Sequence, residues 1–433
     1  MSNNPIGRTL IPQLNAIYSA TPRVARIQKR IVALLNPSSP IDMQHHMKAL
    51  WHRERVGNIL SDRPMDLMPV TVEFVPSLDC NYECPTCTYR KWKERTIADI
   101  GRRQMSYEVM MTLLNKIEDA DVHGVIFTGG GEPFKNPHTI DGLEFAAKKD
   151  YAVGLFTNGS LLNADLISRL ANSGIDFIRV SFNTADADNY VRFHGLKDTE
   201  YFEAARKNIR LLAQALAGTE TSFGIGVIVN QLNVDYMRTV AEFVRETLTE
   251  GTPAEIGSIA YRPVVNYGQI SSDRSQQISP VVARKVKENF EVIKTILQGL
   301  PVTPILAADY FDEVSNTKPK PSGIPSKCRG HSWGASIAYD GGVYLCSERD
   351  GEKDYLIGNL LTASFRDIWL SEQRADVIKH AKDCPPTCKI HRTNKIVDAL
   401  MSGGGLSREE IEEVQSFLDV IRSFGDPGGT NFI

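Results

Sequence analysis

The chain has 433 residues, with 49 Lys and Arg against 52 Asp and Glu and a formal net charge of -3. That near-balance removes the electrostatic footprint of nucleic-acid binding, and no apolar run reaches the ~18 residues of a membrane-spanning helix. MSNNPIGRTLIPQLN at the N-terminus lacks the basic region and apolar core of a signal peptide, so the cytoplasm is the expected compartment, with neither nucleic acid nor membrane as partner.

Residues 1–68 read as a mostly helical extension: 24–35 and 43–60 carry apolar positions three and four apart, punctuated by Pro37, Pro40 and Pro64. Strand and helix patterns then alternate. VTVEFVPS (70–77) is a strand, 107–120 a helix, GVIFTGGG (124–131) a strand ending in glycines, and 139–150 a helix. Strands follow at 151–159, 177–184, 222–230 and 257–265, separated by helices at 163–174, 200–216 and 236–249. Six short apolar strands linked by helices predict right-handed βαβ units and a parallel sheet, too few for a complete eight-strand barrel. The expected fold is α/β, a partial (β/α)6 barrel over 69–271. A helical linker (272–326) follows, then a small β-hairpin and helix domain (327–395), then a C-terminal helix and tail (396–433). In ASIAYDGGVYLCSE, Asp340-Gly341-Gly342 is the predicted hairpin turn.

The seven cysteines are an odd number in a long chain without an export signal, which argues against a disulfide scaffold. They fall in two groups: Cys80, Cys84 and Cys87, then Cys328, Cys346, Cys384 and Cys388. The first group, Cys80-x3-Cys84-x2-Cys87, sits in the loop after the first strand. Crowded soft thiolates suit an iron–sulfur cluster or zinc. On a [4Fe–4S] cube, three cysteines leave one iron open to an outside ligand. A structural zinc site, and with it a non-enzymatic metal scaffold, is the competing reading; Cys-x-x-Cys redox chemistry and a cysteine nucleophile are others.

At these residues the chain resembles the radical SAM superfamily over about 68–265. The resemblance implies that S-adenosylmethionine chelates the open iron, is cleaved by one electron to a 5′-deoxyadenosyl radical, and that the radical takes hydrogen from a substrate. TGGGEP (128–133) resembles the glycine-rich motif that holds the SAM amino group, through Gly129, Gly130, Gly131 and Glu132. The resemblance implies that Ser181 or Asn183 in SFNT meets the ribose or carboxylate; Asn158 in TNGS is a further cofactor candidate with turn chemistry as the alternative, and Val227 lies in the segment whose backbone meets adenine. The family's aromatic residue before the third cysteine is here Thr86, a departure that puts the adenine contact in doubt, with Tyr82 or Tyr89 as replacements. Arg179, Arg192, His194, Tyr261 and Arg262 lie near strand ends as candidates to orient a substrate or move a proton.

Cys328-x12-Gly341-x4-Cys346 followed by Cys384-x3-Cys388 resembles the SPASM auxiliary-cluster domain, or its shortened twitch form. Four cysteines fill one [4Fe–4S] cluster; a four-cysteine zinc site is the alternative. The resemblance implies two clusters, SAM, an external one-electron donor such as flavodoxin or ferredoxin, and a small-molecule or peptide substrate. Because residues 1–68 look helical rather than like a strand-containing leader-binding module, the reading favours dehydrogenation of a hydroxyl-bearing sugar or cyclitol. A maturase acting on a ribosomal peptide or protein side chain is the alternative.

Overall fold

The computed structural model describes residues 52–61, 67–87, 103–264 apart from 121, 278–315 and 330–380, with a few positions between 407 and 416. The expected helices at 24–35 and within 43–51, Tyr89, Cys328, Cys384, Cys388 and nearly all of 396–433 lie outside the described residues.

Seven strands run parallel, each paired to the next: β1 Thr71–Phe74, β2 Gly124–Phe127, β3 Ala152–Thr157, β4 Phe177–Ser181, β5 Ser222–Val229, β6 Ser258–Pro263 and β7 Thr303–Leu306. Helices α2 (Tyr107–Glu118), α3 (Thr139–Ala146), α4 (Ala164–Asn172), α5 (Ala187–His194), α6 (Glu200–Ala215), α7 (Met237–Thr249), α8 (Pro280–Ile296) and α9 (Ala308–Val314) follow an N-terminal α1 (Arg53–Leu60). Helix starts carry their own caps: Ser106 accepts from Val109 N–H, Asn163 from Leu166 and Asp186 from Asn189, satisfying donors the first turn leaves open. α2 packs on α3, α3 on α4, α4 on α6 and α7 on α8, so the helices lie side by side over one sheet face.

Register sorts the strand residues between two faces. Val72, Phe74, Val125, Phe127, Leu155, Val180, Ile225, Ile259 and Tyr261 point under the helices, and each is 0% exposed. Burying such side chains is the main driving force of the fold, about 1.5–3 kcal/mol each. On the opposite, inner face lie Glu73 and Ile126, Phe156 and Arg179, Ser181 and Gly226, each pair directly adjacent across neighbouring strands. This face carries the polar and glycine positions of the strands.

Two features differ from the expectation. The segment read as a helical linker contains α8 but also β7, a seventh parallel strand at the sheet edge, where Pro304 is tolerated. The C-terminal hairpin also extends the same sheet rather than forming a separate one. β8 (Gly334–Ile337) pairs parallel with β1, and β9 (Gly342–Tyr344) and β10 (Leu356–Asn359) continue antiparallel, giving, among the described residues, ten strands ordered β10-β9-β8-β1-β2-β3-β4-β5-β6-β7. The predicted hairpin turn holds: Gly341 has φ +81° and Asp340 Oδ1 accepts from Gly342 N–H at 3.0 Å. Helices α10 (Phe365–Trp369) and α11 (Glu372–His380) complete this part. It is tied back by Lys116 Nζ donating to the Leu360 carbonyl at 2.6 Å and by Trp369 Nε1 donating to the Leu67 carbonyl at 2.8 Å.

Candidate active site

After β1 the chain is held at every step before the cysteines. Asp79 N–H donates to Ser77 Oγ at 3.0 Å, and the Asp79 carboxylate accepts from Arg103 at 3.2 Å and Gln104 at 2.9 Å. Two glycines press on the loop from opposite sides. A Cβ at Gly131 would lie 2.1 Å from the Asp79 carbonyl oxygen, and one at Gly195, in the left-handed region at φ +63°, 2.5 Å from the Glu83 carbonyl oxygen. Glu132 N–H donates to Asp79 O at 2.8 Å and Glu83 N–H to His194 O at 3.1 Å, stitching the loop to the ends of β2 and α5. Cys87 N–H closes a turn on Cys84 O at 3.1 Å.

Cys80, Cys84 and Cys87 are all half-buried on this clamped loop. His194 Nδ1 lies 3.1 Å from Cys84 Sγ; burial pushes the imidazole pKa down to about 3, so the ring is neutral, and its Nδ1–H tautomer would donate to a thiolate there. Among the described residues no three His, Cys, Asp or Glu side chains converge as they would about one metal ion. In a cube each cysteine takes its own iron, so that convergence is not required. Three soft sulfur donors on one fixed loop fit three corners of such a cluster.

Beside the loop sits a buried acid. Glu132 is 3% exposed. Its carboxylate accepts from Thr157 Oγ1 at 2.5 Å, Asn158 N–H at 2.7 Å and Phe134 N–H at 3.3 Å. Burial pushes its pKa up to about 7, tempered by those donors. No cation among the described residues pairs with it, so an incoming ammonium group is the partner its charge calls for. Asn158 Nδ2 donates to Asn81 Oδ1 at 3.0 Å, and Asn81 Nδ2 to Ser160 Oγ at 2.8 Å. Sequence reasoning missed Asn81, Thr157 and Ser160 as separate contributors; the Asn81 side chain joins the cysteine loop to the end of β3.

Several candidates are placed elsewhere. Tyr82 is 3% exposed, with its hydroxyl 2.7 Å from that of Tyr190 and its ring 4.8 Å from His194, so it supports the loop from below and offers no face to adenine. Thr86 is half-buried in the turn before Cys87. Tyr261 points outward from β6, its hydroxyl donating to Met237 O at 3.3 Å, and is a core residue because its parity is that of the helix-covered face; the Val227 side chain also points outward from β5, while the expectation for Val227 concerned its backbone. Asn183 Oδ1 accepts from Ile228 N–H at 2.7 Å, which binds β4 to β5. Arg192 is exposed on α5 with its guanidinium on Leu232 O at 3.3 Å, a brace at the rim. Gly129, Gly130, Gly131, Glu132 and Asn158 gather beside the cysteine loop, while Ser181, Arg179 and Arg262 share the inner sheet face.

Cys346 ends the hairpin, half-buried against Ala338, Tyr344 and Tyr355. Nearby, Asp350 is 5% exposed, and neither carboxylate oxygen reaches hydrogen-bond geometry with a described residue. Burial pushes its pKa up to about 7, with Glu73 and Asp340 adding repulsion and Ser336 and the Gly351 N–H lying near enough to temper it. A raised native pKa means the folded state keeps a proton the unfolded chain releases, so this group favours folding below about pH 4 and disfavours it as pH rises through 7. Asp350→Asn should therefore gain roughly 2–4 kcal/mol of stability at pH 8 and almost nothing at pH 4. Urea unfolding at both pH values measures this; equal gains would contradict the burial argument.

Sequence comparison agrees with this geometry. The radical SAM superfamily profile matches residues 74–244, and that of the SPASM iron–sulfur cluster-binding domain matches residues 328–390. The chain belongs to the radical SAM superfamily. Within it, the C-terminal domain places the chain in the SPASM/twitch subgroup, and the two domains together provide for S-adenosylmethionine and two [4Fe–4S] clusters. An AdoMet-dependent heme synthase of Methanosarcina barkeri is 23% identical over 60% of this chain and 71% of that protein. A PqqA peptide cyclase of Granulibacter bethesdensis is 23% identical over 54% of this chain and 57% of that protein. Streptococcus suis SuiB, in its crystal structure bound to precursor peptide SuiA, shares the fold at 14% identity and TM-score 0.55, covering 75% of this chain and 72% of that one. No helix among the described residues is long and apolar enough to cross a membrane.

Proposed function

We propose that this protein oxidises a carbon centre of a peptide substrate after hydrogen abstraction. The observation that carries the cofactor part is Glu132, a buried carboxylate with three donors and no cation among the described residues, set against the three-cysteine loop. When bound, S-adenosylmethionine at the open corner of the first cluster supplies, on one-electron reduction, the carbon radical that takes hydrogen. Glu132 receives the ammonium group, Gly131, lacking a Cβ, lets the end of β2 pack against the cysteine loop beside it, Gly129 and Gly130 continue that glycine-rich turn, and Ser181 offers a hydroxyl toward ribose or carboxylate. Cys80, Cys84 and Cys87 would hold the first cluster; Cys328, Cys346, Cys384 and Cys388 would hold the second, which would supply an acceptor for the electron released on oxidation. A flavodoxin or ferredoxin delivers the reducing electron.

The peptide reading draws support from the PqqA peptide cyclase relative. The preference for a sugar or cyclitol rested on the helical look of residues 1–68, most of which lie outside the described residues. The test is anaerobic turnover with S-adenosylmethionine, dithionite and short peptides encoded near the gene. The expected result is 5′-deoxyadenosine together with a peptide lighter by two hydrogens. Oxidation of a small polyol with every peptide unchanged would sink the substrate assignment. Cys384→Ala should keep uncoupled 5′-deoxyadenosine formation and lose the oxidised product; product formed at the wild-type rate would remove the second cluster from the reaction.

A further inference from the structure

Arg179 stands in the middle of β4 on the inner face, beside Phe156 of β3 and Gly224 of β5 in register. Its guanidinium lies over the Phe156 ring, 5.1 Å from the centroid. Its stem crosses Gly226, where a Cβ would come within 3.2 Å of Arg179 Cδ and 3.5 Å of Cγ. The glycine leaves a groove for the arginine and the phenylalanine gives it a platform, so the side chain is held in place.

Its charge is not answered among the described residues. Other arginines of the chain are: Arg169 bridges Asp141 and Glu144, and the buried Arg374 stacks on Trp369 and donates to the carbonyls of Trp369 and His331. Among the described residues no carboxylate or carbonyl accepts from Arg179. Among the described residues the charge acting on it comes from a second cation, Arg262 of β6, on the same sheet face. Burial first, and Arg262 second, push the Arg179 pKa down to about 9. A half-buried charge with no counter-ion among the described residues is disfavoured, and a neighbouring like charge adds to that cost. An anion between the two arginines offsets both, and guanidinium forks suit a planar carboxylate.

We infer that Arg179 and Arg262 bind an anionic group of the substrate, a carboxylate, on the inner sheet face two residues before Ser181. This rests on the proposed function only for the carrier: an acidic side chain or the C-terminus of a peptide. The carboxylate of S-adenosylmethionine is the other source of the same chemistry, and the experiment separates the two.

Thermal unfolding of the anaerobic holoprotein is followed at pH 7 with increasing inorganic phosphate, at ionic strength held constant with sodium chloride. The wild type should gain several degrees in the millimolar range. Arg179→Met should start above the wild type, freed of an uncompensated charge, and show no phosphate response. Gly226→Ala, which displaces the arginine stem by a few tenths of an ångström, should need several-fold more phosphate. Equal responses in all three proteins, or an Arg179→Met variant that starts lower, would overturn the inference. Equilibrium dialysis with S-adenosylmethionine supplies the second arm. Similar affinity in wild type and Arg179→Met supports a substrate anion; a loss of about ten-fold alongside the lost phosphate response assigns the site to the cofactor's carboxylate and overturns it. If the wild type makes no 5′-deoxyadenosine yet keeps its Arg179-dependent phosphate response, the proposed function fails and this anion site stands.

Discussion

Alanine at Cys80, Cys84 and Cys87 together is expected to abolish 5′-deoxyadenosine production from S-adenosylmethionine, and iron should fall from about eight to about four per chain. The loop stays in place without its sulfurs, because the Glu132 and Glu83 backbone bonds and the Asp79 ion pair hold it independently of them. The triple variant should therefore fold, and the deficit should be one of chemistry. Iron and sulfide analysis beside a single-turnover assay reads both effects. Residual cleavage of S-adenosylmethionine in the triple variant would show that the reactive cluster is bound elsewhere. Zinc without sulfide in the wild type would remove radical chemistry from this chain.

Gly131→Ala should be nearly as damaging, although it removes no donor. The added methyl would come 2.1 Å from the Asp79 carbonyl oxygen and 2.6 Å from carbons of the Leu78 and Asp79 backbone, and backbone cannot turn aside as a flexible side chain does. Either β2's end or the cysteine loop must shift by about an ångström, and a misplacement of that size costs on the order of 10²-fold in rate. The expected outcome is a similar loss in 5′-deoxyadenosine formation with iron content retained. Gly218→Ala is the control for a glycine with open space around it, though its φ of +78° adds strain of its own. A Gly131→Ala enzyme with full activity would show that the two loops do not meet as described.

Much of this was legible in the sequence because it was local. The cysteine spacing, the glycines before Glu132 and the Asp340-Gly341-Gly342 turn each declare themselves within a few residues. What escaped depended on partners far away in the chain. TPIL at 303–306 is four residues long, contains a proline and follows a long helix, so nothing in it announces β7. The parallel pairing of β8 with β1 has no signature in either segment. Facing was lost in the same way: Tyr261 and Arg262 are consecutive, and only register with β5 tells which points inward. Asn81 sat among three cysteines with no period or motif of its own, and its role became visible only when β3 brought Asn158 and Ser160 to it.

The pairing of β1 with both β2 and β8 bears on the order in which the molecule can be completed. The strand that leads into the cysteine loop is made early, yet one of its two edges stays open until Gly334–Ile337 arrives. A nascent chain ending before that point presents an unpaired, apolar strand edge, the kind of surface that recruits other chains, and closing it across so long a separation is entropically slow. Fragments lacking the C-terminal domain are thus expected to lose solubility along with the second cluster, since the segment that carries Cys346 also seals the sheet beside the first.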